Sequence, residues 1–279
     1  MSYYEALGLN REPFSTSPDP AFFFRSSSHL QALNRLEISL RLRRGLSLIL
    51  GDVGTGKTTL ARMLVSDIAQ EERFSFHMIM DPSFGSEFQF LLQLSRMFGE
   101  APVFKSVLDC REAIEHYLFQ SGVNDNKITV LMIDEGQKLT LDMLENLRML
   151  LNYETNEYKL LQVVIFAQME LLPRISRIRN FMDRVALKYI INPLDERETG
   201  ELIRYRLALS GSTRAGQVFT PDAIRAVYHR TQGYPRQIAR LCHSALESMV
   251  MHEKPHVDEL TIQELSHDES RWVIETANA

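Results

Sequence analysis

The stretch Leu46-Ser47-Leu48-Ile49-Leu50-Gly51-Asp52-Val53-Gly54-Thr55-Gly56-Lys57-Thr58-Thr59-Leu60 decides the fold of this chain. Its apolar beginning predicts a buried strand, and the pattern G-x-x-x-x-G-K-T that follows is typical of a phosphate-binding loop. Apolar residues spaced like a helix face come next, so the motif has the strand and the helix that it requires. The glycines allow a tight turn whose backbone N–H groups can enclose an anion. The residues expected to bind a nucleotide are Gly51, Asp52, Val53, Gly54, Thr55, Gly56, Lys57, Thr58 and Thr59.

Two side chains at the end of this loop have tasks that follow from their chemistry. The Lys57 ammonium can reach the β- and γ-phosphates of a nucleotide, and the Thr58 hydroxyl can ligate Mg²⁺. The sequence therefore predicts ATP and Mg²⁺ as ligands.

Composition places the chain among ordinary globular proteins. Of its 279 residues, 44% are apolar and 24% are charged, and the length suggests about two domains. The net charge of −5 creates no global field that would attract nucleic acid, although local basic clusters remain possible. Cys110 and Cys242 lie far apart without metal-ligand spacing, which favours reduced thiols in the cytoplasm. We find no signal peptide and no apolar run long enough for a bilayer, so a membrane role would need a partner.

Strands and helices alternate from the phosphate loop to residue 191. Apolar strands are expected at residues 74–80, 128–133, 161–166 and 186–191, with amphipathic helices between them. This alternation predicts an α/β fold with a parallel sheet sandwiched by helices. Asn192-Pro193 breaks the pattern, and only helices are expected afterwards. We therefore predict a P-loop ATPase domain over residues 1–191 and an all-helical lid domain over residues 192–279, with nucleotide between them.

An aromatic arm precedes the first predicted helix. It contains Pro13-Phe14 and the run Phe22-Phe23-Phe24. One interpretation is an extended segment that packs its aromatic rings on the ATPase domain. The other is that part of the arm covers the adenine base, which needs an apolar slot.

A pair of carboxylates ends the strand at residues 128–133. The carboxyl ends of strands in a doubly wound sheet face the ligand crevice, so Asp134 and Glu135 should lie near the phosphate loop. Asp134 would hold Mg²⁺, usually through its water, and Glu135 would polarise the water that attacks the phosphate.

Two further polar residues follow structural boundaries. Gln168 comes directly after the strand at residues 161–166 and its continuation Ala167, where it would face the γ-phosphate; a solvated polar residue at a strand end is the alternative. Arg236 stands at the beginning of a helix, where a positive charge is poorly placed for the helix dipole. A contact with phosphate explains that position better than a structural role.

Four arginines, Arg174, Arg177, Arg179 and Arg184, crowd the segment before the last strand. A solvated helix face explains most of them. One of them can be a finger that reaches into a neighbouring subunit and stabilises charge on the phosphoryl group.

Taken together, these motifs resemble the AAA+ ATPases of the ExeA-like family (general secretion pathway protein A). The resemblance covers nearly the whole chain and rests on "YYEALGL", "GDVGTGKTTLAR", "LMIDEGQKL", "LENLRMLLNYETNEYKLLQVVIFAQMEL", "DRVALKYIINPL" and "GYPRQIARLC". It implies an ATPase that converts ATP and water to ADP and phosphate. Lys57 and Thr58 would belong to Walker A, Asp134 and Glu135 to Walker B.

The same resemblance implies roles for the remaining candidates. Gln168 would be sensor 1 and Arg236 sensor 2. Arg184 would be the finger that acts on an adjacent subunit, with Arg179 as the second choice. Two departures from the family pattern stand near the site: Gly136 replaces the usual Ala after the acidic pair, and Ala167-Gln168-Met169-Glu170-Leu171 replaces the usual G-Q-P-E-L.

The resemblance leaves the biological process open. The leading hypothesis is an ATP-dependent ring or filament that serves assembly of an envelope secretion or pilus system through a membrane partner, in the cytoplasm or peripherally at the inner membrane. The chain is also similar to shorter relatives in pilus-biogenesis clusters and to the transposition regulators MuB and TniB, so an ATP-dependent regulator that binds duplex DNA is the alternative. A third reading is a nucleotide-gated scaffold with hardly any hydrolysis.

Overall fold

The computed structural model describes residues 2–15, 20–68, 70–99 and 105–266. The chain divides into two compact units. The first, which we call the sheet unit, comprises Ser27–Val53 and Lys57–Ile191. The second, the helical unit, comprises Met1–Ser26, Gly54–Gly56 and Asn192–Ala279.

Five parallel strands form one sheet in the sheet unit. They are β1 (Leu46–Leu50), β2 (Phe74–Ile79), β3 (Ile128–Ile133), β4 (Leu161–Ala167) and β5 (Val185–Ile190). Their spatial order is β2-β3-β4-β1-β5, so β4 lies between the strand that leads into the phosphate loop and the strand that ends in Asp134-Glu135. Every residue of β1, β3 and β4 is buried, as the continuous apolar runs require. The edge strand β5 alternates between half-buried and exposed residues.

Among the α-helices in the described part of the chain, ten are labelled here. They are α1 (Tyr3–Ala6), α2 (Ser27–Arg41), α3 (Lys57–Ile68), α4 (Glu87–Met97), α5 (Val107–Phe119), α6 (Leu141–Leu150), α7 (Leu172–Ile175), α8 (Glu196–Leu209), α9 (Pro221–Thr231) and α10 (Pro235–Met251). Residues 259–266 are also helical. No helix of the described residues combines the length and the apolar character that crossing a bilayer requires.

Helix beginnings follow the capping chemistry of the sequence. The Ser86 and Thr140 side chains accept hydrogen bonds from main-chain N–H groups at the beginnings of α4 and α6. Asp195 and Glu198 form a capping box at the beginning of α8. Helix α2 ends at Arg41, and two residues later Arg43 adopts a positive φ of 49° with its buried side chain over the Tyr158 ring.

The sheet unit has its own apolar core. The central strands contribute Leu48, Leu131 and Ile165, and α4 contributes Phe90 and Leu94, all of them buried. This layer of helix on parallel sheet confirms the predicted α/β class.

The helical unit buries a second, separate core. Its helices α8 to α10 contribute Leu202, Val227, Ile238 and Leu246. Both cysteines are free and buried; Cys242 belongs to this core and Cys110 to the core of the sheet unit. Residues 267–279 of the predicted lid lie outside the described residues.

The aromatic N-terminal arm belongs to the helical unit, whereas the sequence pattern assigns it to the ATPase domain. Leu9 and Phe14 are buried in the core of the helical unit, and the Phe14 ring meets Phe219 edge to face at 6.2 Å. The Tyr3 hydroxyl is 2.9 Å from His243 Nδ1 on α10. The apolar faces of the late helices thus provide the surface that buries the arm. Covering of the adenine base by the arm stays a prediction.

Candidate functional site

The loop between β1 and α3 has the backbone conformation of a phosphate-binding turn. Gly54 and Gly56 have φ angles of +83° and +95°, which residues with a Cβ adopt only under strain. Thr55 between them is buried. Left-handed glycines on either side of Thr55 turn main-chain N–H groups toward one concave side, where they can bind an anion.

Lys57, the first residue of α3, folds its side chain back along the loop. Its Nζ donates to the carbonyl oxygens of Gly51 and Asp52, each at 2.8 Å. Only 8% of the residue is exposed. Burial lowers the pKa of the Lys57 ammonium, and the carboxylates of Asp134 and Glu135 oppose that shift. The loop therefore encloses a positive group beside two negative ones.

Thr58 and Asp134 join the loop to the end of β3. The Thr58 hydroxyl donates to Asp134 Oδ2 at 2.6 Å, and the main-chain N–H of Glu135 donates to Asp134 Oδ1 at 2.9 Å. Asp134 is 2% exposed. A hydroxyl and a buried carboxylate are hard oxygen ligands, so this pair fits Mg²⁺. The described residues contain no group of three or more His, Cys, Asp or Glu side chains that could hold a metal.

Glu135 has a left-handed backbone, with φ 52° and ψ 35°. This conformation is uncommon for a residue with a side chain and typically costs about 1–3 kcal/mol. The half-buried Glu135 carboxylate accepts a hydrogen bond from Gln137 Nε2 at 2.6 Å. The left-handed Glu135 immediately precedes the short helical turn Gly136–Lys138.

Gly136 explains the first departure from the family pattern. A Cβ at this position would lie 2.3 Å from Ile165 Cγ2 and 3.3 Å from Ala167 Cβ, both on β4. Even an alanine would overlap with that strand. The short helical turn Gly136–Lys138 can therefore approach β4 only because residue 136 is glycine.

Gln168 follows β4 directly and lies at the same edge of the sheet as Asp134 and Glu135. Its main-chain N–H donates to Gln137 Oε1 at 3.2 Å. The structure therefore brings together Lys57, Thr58, Asp134, Glu135 and the main chain of Gln168 within the sheet unit.

Arg236 lies in the helical unit, in the first turn of α10. Its main-chain N–H donates to the Gly54 carbonyl oxygen at 3.3 Å, and a Cβ on Gly54 would lie 3.0 Å from Arg236 Cβ. Tyr234, which precedes α10, makes no side-chain cap. The tip of the phosphate loop therefore supplies a carbonyl to the beginning of α10, and Arg236 is adjacent to that tip.

Arg184 does not join the other candidates. It directly precedes β5, whose first residue Val185 pairs with Leu46, whereas Ile190 pairs with Leu50 beside the loop. Parallel strands rise about 3.3 Å per residue, which places Arg184 roughly 15 Å along the sheet from the phosphate loop. Arg179 is exposed in the preceding segment.

Gln137 is a site residue that the motifs do not identify. It links the Glu135 carboxylate to the Gln168 main chain, and its own carbonyl accepts a hydrogen bond from Arg174. Arg174, one of the four crowded arginines, also donates to the Leu139 carbonyl at 3.0 Å. The available signal in the sequence was only a polar residue two positions after the acidic pair.

A family described as "AAA domain" matches residues 40–175, which include the loop, the acidic pair and Gln168. Over 285 aligned residues the chain is 32% identical to general secretion pathway protein A of Aeromonas hydrophila, covering 97% of this chain and 50% of that protein. The chain thus spans about half the length of this curated relative. The predicted resemblance to general secretion pathway protein A is confirmed.

Solved structures share the fold of this chain. ORC2 of Aeropyrum pernix, in ADPNP and ADP complexes, has a TM-score of 0.66 and 17% identity, covering 92% of this chain and 71% of its own. ORC1 of Aeropyrum pernix, in complex with DNA, has a TM-score of 0.65 and 17% identity, covering 93% and 69%. At this identity the likeness shows the fold alone. The predicted AAA+ fold class is confirmed.

Proposed function

We propose that this protein binds ATP together with Mg²⁺ and hydrolyses it to ADP and phosphate. The observation that carries the proposal is the hydrogen-bonded pair of Thr58 and Asp134 with Lys57 and Glu135 beside it. Phosphoryl transfer to water requires a phosphate-binding loop, a cation, two hard oxygen ligands and a carboxylate base. The match to an AAA domain supports the same chemistry.

Each side chain has a defined task in this reaction. Lys57 releases its loop carbonyls and binds the β- and γ-phosphates, while Thr58 and Asp134 would hold Mg²⁺. When bound, the metal ion neutralises charge on the phosphate oxygens. Glu135 accepts a proton from the attacking water as the water oxygen bonds to the γ-phosphorus, and the bond to the ADP oxygen breaks. Gln168 and Arg236 orient and stabilise the γ-phosphate, with the Gly54 contact supporting the position of Arg236.

A second subunit completes the site. Because Arg184 lies roughly 15 Å along the sheet from its own phosphate loop, it can act only on the ATP of a neighbour. We assign the finger to Arg184 and keep Arg179 as the second choice. ATP would thereby join subunits into a ring or filament.

We assign the protein to assembly of an envelope secretion or pilus system, where it would act in the cytoplasm and reach the inner membrane through a partner protein. The 32% identity to general secretion pathway protein A supports this process. That relative is about twice as long as this chain, so we also propose, rather than infer from the identity, the contact with a partner protein.

Regulation of transposition through duplex DNA is the alternative. ORC1, a structural neighbour, was solved in complex with DNA, while the net charge of −5 argues against a general affinity of this chain for DNA. Filter binding of duplex DNA at low and moderate salt, with and without ATP, separates the two. Tight ATP-dependent binding that weakens steeply with salt would replace the secretion hypothesis by the DNA-binding one.

The test of the chemistry uses two variants of the site. Lys57→Ala should lose ATP binding, measured with a fluorescent ATP analogue, because no other cation of the loop faces the phosphates. Glu135→Gln should bind ATP as the wild type does and release at least about 100-fold less phosphate, since it cannot accept a proton. Wild-type phosphate release from Glu135→Gln would show that Glu135 is not the base. ATP binding without hydrolysis by the wild type at high protein concentration would favour the nucleotide-gated scaffold.

A further inference from the structure

Gln137 uses both ends of its side-chain amide at the candidate site. Nε2 donates to Glu135 Oε2 at 2.6 Å, and Oε1 accepts from the main-chain N–H of Gln168 at 3.2 Å. An amide has one donor end and one acceptor end, so these two hydrogen bonds fix which end faces Glu135 and which faces Gln168. It connects the carboxylate at the end of β3 with the main chain at the end of β4.

The main chain around Gln137 is fixed by independent contacts. The Lys138 N–H donates to the Glu135 carbonyl at 2.9 Å, which closes the short helical turn. Arg174 donates to the Gln137 carbonyl, and Gly136 packs against β4 so closely that a Cβ cannot fit. These contacts fix the main chain of residue 137, from which the side-chain amide reaches Glu135.

We propose that Gln137 is a positioning residue for ATP hydrolysis, which holds the Glu135 carboxylate in register with the end of β4. A glutamate has three side-chain torsions, and without a partner its carboxylate would populate several rotamers. The bond from Gln137 occupies Oε2 and leaves Oε1 to accept the proton of the attacking water. A base displaced by about 1 Å can lose roughly 100-fold in rate.

This inference rests on the proposed function, because a positioned base has no task without hydrolysis. It adds to that function a link, through the Gln137 amide, between the Glu135 carboxylate and the main chain of Gln168. The hydrogen bond also accounts for a glutamine that neither the loop motif nor the acidic pair requires.

The first test compares Gln137→Ala with the wild type in steady-state ATPase and ATP-binding assays. We expect kcat to fall roughly 10- to 100-fold, while KM and the Kd for ATP change less than about twofold, since Lys57 and Thr58 are untouched. Gln93→Ala is the matched control, because Gln93 is an exposed helical glutamine in α4 outside the site, and it should keep the wild-type kcat.

The second test uses Gln137→Glu and does not depend on the alanine variant being folded. A second carboxylate beside Glu135 favours a proton shared between the two, because both cannot be charged at this distance without a large penalty. Hydrolysis by this variant should therefore require a higher pH than hydrolysis by the wild type. A loss of activity through misfolding would lower the rate at every pH and leave the midpoint of the profile in place.

The outcomes separate this inference from the function on which it rests. If the wild type releases no phosphate, both are overturned. If the wild type hydrolyses ATP and Gln137→Ala matches or exceeds its kcat, positioning by Gln137 is overturned while the ATPase remains. A Kd for ATP that weakens as much as kcat falls, or an unshifted pH profile of Gln137→Glu, also contradicts it.

Discussion

Single residues at the end of β3 owe their placement to backbone conformation as much as to side-chain chemistry. Glu135 is left-handed, and the glycine after it lies where a Cβ would overlap with Ile165. The two features depend on each other, because the turn that aims the Glu135 side chain also carries residue 136 against β4. Changing residue 136 should therefore affect both stability and catalysis.

We predict that Gly136→Ala lowers the free energy of unfolding by about 1–3 kcal/mol, the usual effect of overpacking a core. The added methyl group would lie 2.3 Å from Ile165 Cγ2, so the turn and Glu135 must move. Urea unfolding measures the loss, and kcat should fall as well. Gly216→Ala is the control, since a Cβ there meets nothing within 4 Å and should change stability by less than about 0.5 kcal/mol. Equal stability of the two variants would contradict the steric argument.

At the scale of elements, the edge strand β2 carries a histidine on a half-buried face. The His77 ring lies edge to face with Phe98 at 4.8 Å, and Nε2 is 3.1 Å from Ser75 Oγ and 3.4 Å from the Tyr117 hydroxyl. Burial lowers the pKa of His77, and a hydrogen bond with the Met97 main chain partly opposes it. The folded chain therefore binds this proton less readily than the unfolded chain does.

The sign of the pH effect follows from that difference. As pH falls through the ordinary histidine pKa of about 6.5, the unfolded state takes up the proton first, so stability decreases. His77 makes the free energy of unfolding depend on pH between pH 7 and 5, with a slope of at most about 1.4 kcal/mol per pH unit. We predict that His77→Phe removes this contribution. Urea midpoints across this range measure it. An unchanged slope in His77→Phe would disprove the assignment.

Elements with local signals could be predicted from the sequence, and those with distant partners could not. The strands β1, β3 and β4 are continuous apolar runs, and α8 begins with a capping box formed by neighbouring residues. The arm carries aromatic residues without a helical or strand period, and its core lies about two hundred residues away in sequence. Gln137 was equally hidden, because its hydrogen bonds depend on the left-handed Glu135.

For the whole molecule, the central expectation is a site shared between subunits. We predict that specific ATPase activity rises with protein concentration and that Arg184→Ala binds ATP normally yet stays slow at every concentration. Such a finger contributes roughly 10³–10⁵ to the rate in enzymes where it has been removed. Phosphate release over a hundredfold dilution series measures the dependence.

Mixing experiments identify the finger. Lys57→Ala still offers an intact Arg184 to a neighbour, so adding it to Arg184→Ala should restore part of the activity. Arg179→Ala tests the second choice, and Arg197→Ala, an exposed arginine paired with Glu201 in α8, is the control. Activity per subunit that stays flat on dilution would leave a self-contained ATPase.

Leu9 and Phe14 are buried in the same core as Ile238, and this has a consequence for synthesis of the protein on the ribosome. The helices that cover these two residues are made about two hundred residues after them. At about 5–20 residues per second, their side chains wait roughly 10–45 s in water or on a chaperone. The residues of the sheet unit are complete well before then and can fold during the wait. Leu9 and Phe14 are thus made before the sheet unit but reach their native contacts only after it is complete.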